Sequence, residues 1–171
     1  MTTEWNPEGM WAGKTVAIIG NAAFMTNEMA ESARFLKVIV VSNAIKFAPW
    51  ADMFVGLDPY WTDEQKRFKG MKVCGVPTDD LDALYAGMFY ESVKIDESTT
   101  IQIRNNTLAA IRIAQKAGAK TIILFGIDDK YDAKHAHTGF TGHNEGLAQI
   151  INELSGVGIV VGYAPREENA I

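Results

Sequence analysis

Apolar runs of strand length recur at residues 14–19, 38–41, 53–57, 71–76, 121–125 and 159–163. The run at 38–41 is continuous rather than alternating, the mark of a strand buried on both faces. Between the runs the period becomes helical. Thr26 caps a predicted helix to about Leu36, with Glu28 in a first turn whose dipole favours an acid. Thr62 opens a polar helix to about Phe68. Asn106 or Thr107 caps a helix to about Lys116, with Ala110, Ile113 and Ala114 on one side and Gly118 as its C-cap. Residues 144–154 form an amphipathic helix through Leu147, Ile150, Ile151 and Leu154. Residues 77–97 are irregular, with a short helix near Leu84 and Tyr85 and an edge strand at 89–95.

Strands alternating with helices predict an α/β, Rossmann-like fold: a mostly parallel sheet with helices on both faces. Residues 1–13 read as an N-terminal arm whose Trp5 and Trp11 pack on the domain. Residues 14–165 read as one nucleotide-binding domain and 166–171 as a polar tail. At 171 residues such a domain buries a core without disulfides or metal.

Composition narrows the setting. The lone Cys74 lies in an apolar run and reads as a small buried hydrophobe in a reducing, cytoplasmic protein. No stretch is long and apolar enough for a membrane span, and residues 1–13 lack the pattern of a signal peptide. The net charge of −5 opposes broad nucleic-acid binding, although it leaves room for a local basic groove. Trp5, Trp11, Trp50 and Trp61, read as exposed, point to a homo-oligomer.

Chemistry is expected where strands end. Gly20-Asn21-Ala22-Ala23, Ser42-Asn43-Ala44, Gly56-Leu57-Asp58-Pro59 and Gly126-Ile127-Asp128 each follow an apolar run. In an open parallel sheet these loops line one crevice. Glycine permits a tight turn, small residues let a ligand approach the backbone, and the Asn21 amide donates and accepts toward a base or ribose. Asn43 and Asp58 extend the same edge, while local turn chemistry explains each taken singly. Of Asn105 and Asn106, one caps a helix and leaves the other amide for a ligand. The full Gly-x-Gly-x-x-Gly fingerprint is missing, since Ala22 and Met25 stand where glycines are needed, which argues against an NAD dehydrogenase.

Residues 128–143 hold all three histidines. His143, at the mouth of a helix, is placed to take a proton from an acceptor hydroxyl, with Glu145 to orient it. Lys130 and Tyr131 are placed to steady a leaving phosphate. The alternatives are a capping or surface histidine, or a zinc site from His135, His137 and His143 with Asp128 or Asp132.

The chain resembles the small bacterial sialyltransferases with a Rossmann-like nucleotide domain. It is still more similar to a related bacterial and phage family found beside the archaeal 6-hydroxymethylpterin diphosphokinases. Gly20-Asn21 matches the start of the sialyltransferase Gly-Asn-Gly-Pro-Ser-Leu, while its second Gly, Pro and Ser are replaced by Ala22, Ala23 and Phe24. Segment 38–44 resembles the second strand with its nucleotide-contacting Asn, here Asn43. Ala48-Pro49-Trp50-Ala51-Asp52 resembles the related family's segment and leads to Asp58 and Trp61. Asn105-Asn106 aligns with a nucleotide-contacting pair, and segment 117–128 resembles both families. Gly142-His143 aligns with a Gly-His whose histidine is the general base, and Lys130 or Tyr131 falls near a phosphate-holding tyrosine. The stretch between Asp128 and His143 is much shorter than the sialyltransferase lid.

The resemblance implies a nucleotide-sugar-dependent, inverting glycosyltransferase, CMP-linked in the sialyltransferases, with no cofactor or metal. His143, Tyr131 and Lys130 would be catalytic. Gly20, Asn21, Ala22, Ser42, Asn43, Asp58, Asn105, Asn106 and Asp128 would hold the nucleotide. The shortened lid and altered first loop keep a non-catalytic nucleotide-binding module as an alternative. A third is a pyrophosphokinase or nucleotide hydrolase with Mg²⁺ on Asp58, Asp128 or Asp129.

Overall fold

The computed structural model describes residues 2–85, 91–128 and 142–165. In chain order the elements are β1 (Thr3–Glu4), β2 (Thr15–Ile19), α1 (Asn27–Ser32), β3 (Lys37–Val41), a 3₁₀ turn (Ser42–Lys46), β4 (Met53–Val55), α2 (Asp63–Lys66) and β5 (Met71–Cys74). There follow β6 (Leu84–Tyr85), β7 (Glu91–Asp96), β8 (Thr99–Ile103), α3 (Asn106–Lys116), β9 (Thr121–Phe125), α4 (Gly142–Gly156) and β10 (Val160–Tyr163). Eight strands form one sheet in the order β1-β6-β5-β4-β3-β2-β9-β10, and every adjacent pair is parallel. Strands β7 and β8 make a separate antiparallel hairpin. The expected α/β, Rossmann-like architecture is therefore present.

Alternate residues of each central strand serve two cores. Val16, Ile18, Ile39, Val55, Ile122 and Leu124 face one cluster, closed by Leu108 and Ile111 of α3 and by Leu147 and Ile150 of α4. Ala17, Ile19, Val38, Val40, Phe54 and Phe125 face the other, closed by Ala30 of α1, Ile45 of the 3₁₀ turn and Phe68 beyond α2. Burial on both faces explains why β3 reads as an unbroken apolar run.

The hairpin is fastened to the helices by Gln149 of α4, which accepts from Lys94 N at 3.4 Å and donates to Lys94 O at 2.9 Å, and by a cation. Arg112 of α3 donates from Nε to Glu91 Oε1 at 2.7 Å and from Nη2 to Glu91 Oε2 at 3.1 Å. It also reaches Gln115 Oε1 at 2.8 Å and Glu153 of α4 at 2.5 Å. Hydrogen bonding to Glu91 raises its pKa against the desolvation that lowers it, with Glu153 adding to the rise. Arg112, Glu91 and Glu153 line a pocket of about 450 Å³ between hairpin and helices and are already paired with one another.

Several expectations change. The first helix ends at Ser32 rather than near Leu36, with Thr26 Oγ1 capping it through the Met29 amide. The helix expected near Leu84 and Tyr85 is strand β6, paired on both sides by β5 and β1, so the N-terminal arm contributes a strand to the sheet. The edge strand expected at 89–95 is instead one half of a hairpin off the main sheet. Trp11 and Trp61 are buried, and Trp5 and Trp50 are half-buried against the cores, so none of the four rings is exposed as expected. Among the described residues, no helix is long and apolar enough to cross a membrane.

Candidate functional site

Strand register aligns the loops that follow the strands. Phe125 pairs with Ile19, Ile19 with Val40, Val41 with Val55, and Val55 with Val73. Because all these strands are parallel, the next residues emerge side by side at one edge: Gly126, Gly20, Ser42, Gly56 and the Cys74–Gly75 turn. After β2 the chain moves outward through β3 to β6, whereas β9 and β10 lie on its other flank. The switch point therefore falls between β2 and β9, where open α/β sheets bind ligands.

At that point two backbones touch. Gly20 N donates to Phe125 O, and Ala22 N donates to Gly126 O, both at 2.8 Å. Gly126 has φ +64°, and a Cβ there would lie 2.5 Å from Met25 Sδ and 2.7 Å from Gly20 O. Only glycine fits this conformation and this spacing. The loops at the switch point are thus locked together, while the Asn21 side chain stays exposed above them.

A second network lies at the ends of β3 and β4. Asn106 Oδ1 accepts from Leu57 N at 2.9 Å, and its Nδ2 donates to Ser42 Oγ at 2.7 Å. Ser42 has φ 53°, an uncommon left-handed conformation for a side chain that is not glycine. Its carbonyl accepts from Nε2 of buried Gln65 at 3.2 Å. Gln65 is in turn fixed by the capping box that opens α2, in which Thr62 and Gln65 satisfy each other's amides. Trp61 Nε1 donates to Gly56 O at 3.0 Å, and its ring stacks edge-on to Phe54.

Arg104 completes the edge. Its Nη2 donates to Leu57 O at 2.5 Å, its Nη1 pairs with Asp58 Oδ1 at 3.2 Å, and its Nε is buried with no hydrogen-bond partner. The Asp58 side chain is 76% exposed, so water weakens this pair. The edge thus offers an anchored cation with a solvated counter-ion beside exposed Asn21 and Asn43.

The expected site residues sort accordingly. Gly20, Asn21, Ala22, Ser42, Asn43, Asp58, Asn105, Asn106 and Asp128 all lie at this end of the sheet, on the loops after β2, β3, β4 and β9 or at the start of α3. The helix cap is Asn105, whose Oδ1 accepts from Leu108 N at 3.1 Å, rather than Asn106 or Thr107. Neither Asn amide is left over for a ligand as expected, because Asn105 caps and Asn106 braces β3 to β4. Lys130 and Tyr131, and with them Asp129, Asp132, His135 and His137, lie outside the described residues. His143 falls in the first turn of α4, which starts at this same edge because it returns the chain to the amino end of parallel β10. Among the described residues, no three His, Cys, Asp or Glu side chains cluster to hold a metal ion. Gln65 was not singled out by its sequence pattern, Trp61 was noted only as an exposed-reading ring and a point of resemblance, and Arg104 had no role assigned, although a basic residue directly before two asparagines at a helix start was an available signal.

Comparison with protein-family models, with curated proteins and with solved structures finds no match for this chain.

Proposed function

We propose that this protein binds a nucleotide sugar across the carboxyl edge of its sheet and transfers the sugar by an inverting displacement. One observation carries the reading: the parallel register aligns the loops bearing Asn21, Asn43 and Asp58 beside the Gly20–Gly126 contact at the switch point. The exposed Asn21 and Asn43 side chains would face the nucleotide, and Arg104 would supply positive charge for phosphate. The transfer itself rests on the sequence resemblance and on His143 in the first turn of α4. His143 would take the proton of an acceptor hydroxyl while that oxygen bonds to the anomeric carbon. In the same displacement the bond from that carbon to the phosphate oxygen breaks on the opposite face, and the nucleotide leaves with the electron pair, steadied by Lys130 and Tyr131.

A second reading, a nucleotide-binding module without chemistry, is favoured by the internal engagement of Asn105 and Asn106. One experiment separates them. Melting temperature is measured against CMP, UDP, GDP, ADP and their sugar conjugates, and hydrolysis or transfer is followed for any that bind. A ligand held only by the native state raises the melting temperature with dose. His143→Ala should abolish turnover and retain that rise; a rise with no turnover in the parent protein supports the module. No dose-dependent rise with any nucleotide refutes both.

A further inference from the structure

A different surface gathers at the opposite, amino-terminal edge of β3, β4 and β5. Arg34 and Phe35 lie just before β3, Trp50 before β4, and Lys69 before β5. Backbone bonds hold these segments together, from Asp52 N to Val38 O and from Met71 N to Asp52 O. Two shallow grooves meet there, of about 250 and 640 Å³, sharing Pro49 and Lys69. Arg67 lines the smaller and Trp50 the larger.

Within residues 34–50 two rings each carry a cation over one face. The Arg34 guanidinium sits 5.0 Å from the Trp50 ring centre, and the Lys46 ammonium 5.1 Å from that of Phe47. Phe35 is 85% exposed. Charge is segregated too. Residues 31–72 carry seven basic and five acidic residues, whereas the rest of the chain carries nine basic and 16 acidic. Of those five acids, Glu31 is paired with Arg34, the Asp52 carboxylate accepts the Val38 amide, and Asp58 belongs to the other edge. Glu64 lines the smaller groove beside Arg67, and Asp63 sits next to it in the first turn of α2.

We propose that this surface binds single-stranded nucleic acid, with Arg67 and Lys69 on phosphates and the exposed Phe35 ring as the stacking platform. An exposed ring on a face rich in cations suits an unpaired base, whose face a duplex hides. The chain's overall negative charge then confines binding to this face.

The test is fluorescence anisotropy of a labelled oligodeoxythymidine of about 15 nucleotides, long enough for one such groove. Parallel arms use the duplex of the same length and phosphatidylserine vesicles. The single strand should bind most tightly and weaken with salt. Arg67→Glu with Lys69→Glu should cut affinity at least about tenfold and flatten the salt slope by about 1.4. Phe35→Ser should weaken binding about tenfold through lost stacking. Its exposure spares the fold, so it decides the question if the double variant does not fold. Absence of single-strand binding overturns the proposal. So does affinity unchanged in Phe35→Ser, or binding to duplex or vesicles as tight as to the single strand.

Discussion

Replacing Asn106 tests whether the carboxyl edge is braced as described. Its amide accepts from the Leu57 amide and donates to the Ser42 hydroxyl. In Asn106→Ala the Leu57 N–H loses its side-chain acceptor within a residue only 2% exposed. An unpaired buried donor costs about 1–3 kcal/mol. Ser42 is half-buried and recovers water, so its share is smaller, but its left-handed backbone loses one of its two braces. A total of roughly 2–3 kcal/mol follows, which for a chain of this size lowers the melting temperature by about 5–10 °C. Asn106→Asp should behave differently. The carboxylate still accepts from Leu57, the Ser42 hydroxyl can turn to donate, and a negative charge at the start of α3 is favoured by the helix dipole. Its stability should stay within about 1 kcal/mol of the parent. On the proposed function its nucleotide affinity should fall, because the new charge lies beside the edge proposed to hold phosphate. Urea denaturation followed by circular dichroism measures the first effect, and ligand-induced melting shifts the second. If Asn106→Ala loses less than about 0.5 kcal/mol, the amide is not a brace. If Asn106→Asp falls as far as Asn106→Ala, the acceptor argument fails.

Gly126→Ala should destabilise by roughly 2–4 kcal/mol, since the new methyl meets the Gly20 carbonyl at a positive φ; a neutral result in urea denaturation would dissolve the locked switch point. Arg112→Met should cost roughly 1–3 kcal/mol, less than a fully buried pair because Arg112 and Glu91 each keep about a fifth of their side-chain surface in water. Hydrogen exchange should then quicken in β7 and β8 and stay slow in β9; uniform quickening would mean that the clamp is not local.

The central strands were legible because burial on both faces leaves its mark on every residue from Val38 to Val41. Helix α3 was legible from its apolar stripe, although its cap fell one residue earlier than the pattern suggested. Strand β6 was not legible. Two residues carry no period, and one of its partners, β1, lies some eighty positions away in the chain. The hairpin was hidden for another reason: Thr99 and Thr100 are exposed, so half of β8 lacks an apolar signature. At the site, the glycines and exposed polar groups announced themselves as types. The work of Arg104 depends on a carbonyl 47 residues away, which no local pattern reports. Asn106 was noticed as a binding amide but serves as a brace, because its partners come from two other strand ends.

The placement of β2 between β3 and β9 has a consequence for synthesis. The strand at residues 15–19 emerges from the ribosome early, yet one of its two neighbours is not made until residues 121–125. For about a hundred residues of elongation the nascent sheet has an open apolar border where Phe125 and Leu124 will later dock. Parallel pairing across such separations is slow, and unpaired borders attract other chains. Yield in a recombinant host should therefore respond more to slowed translation or added chaperone than to changes in the finished fold.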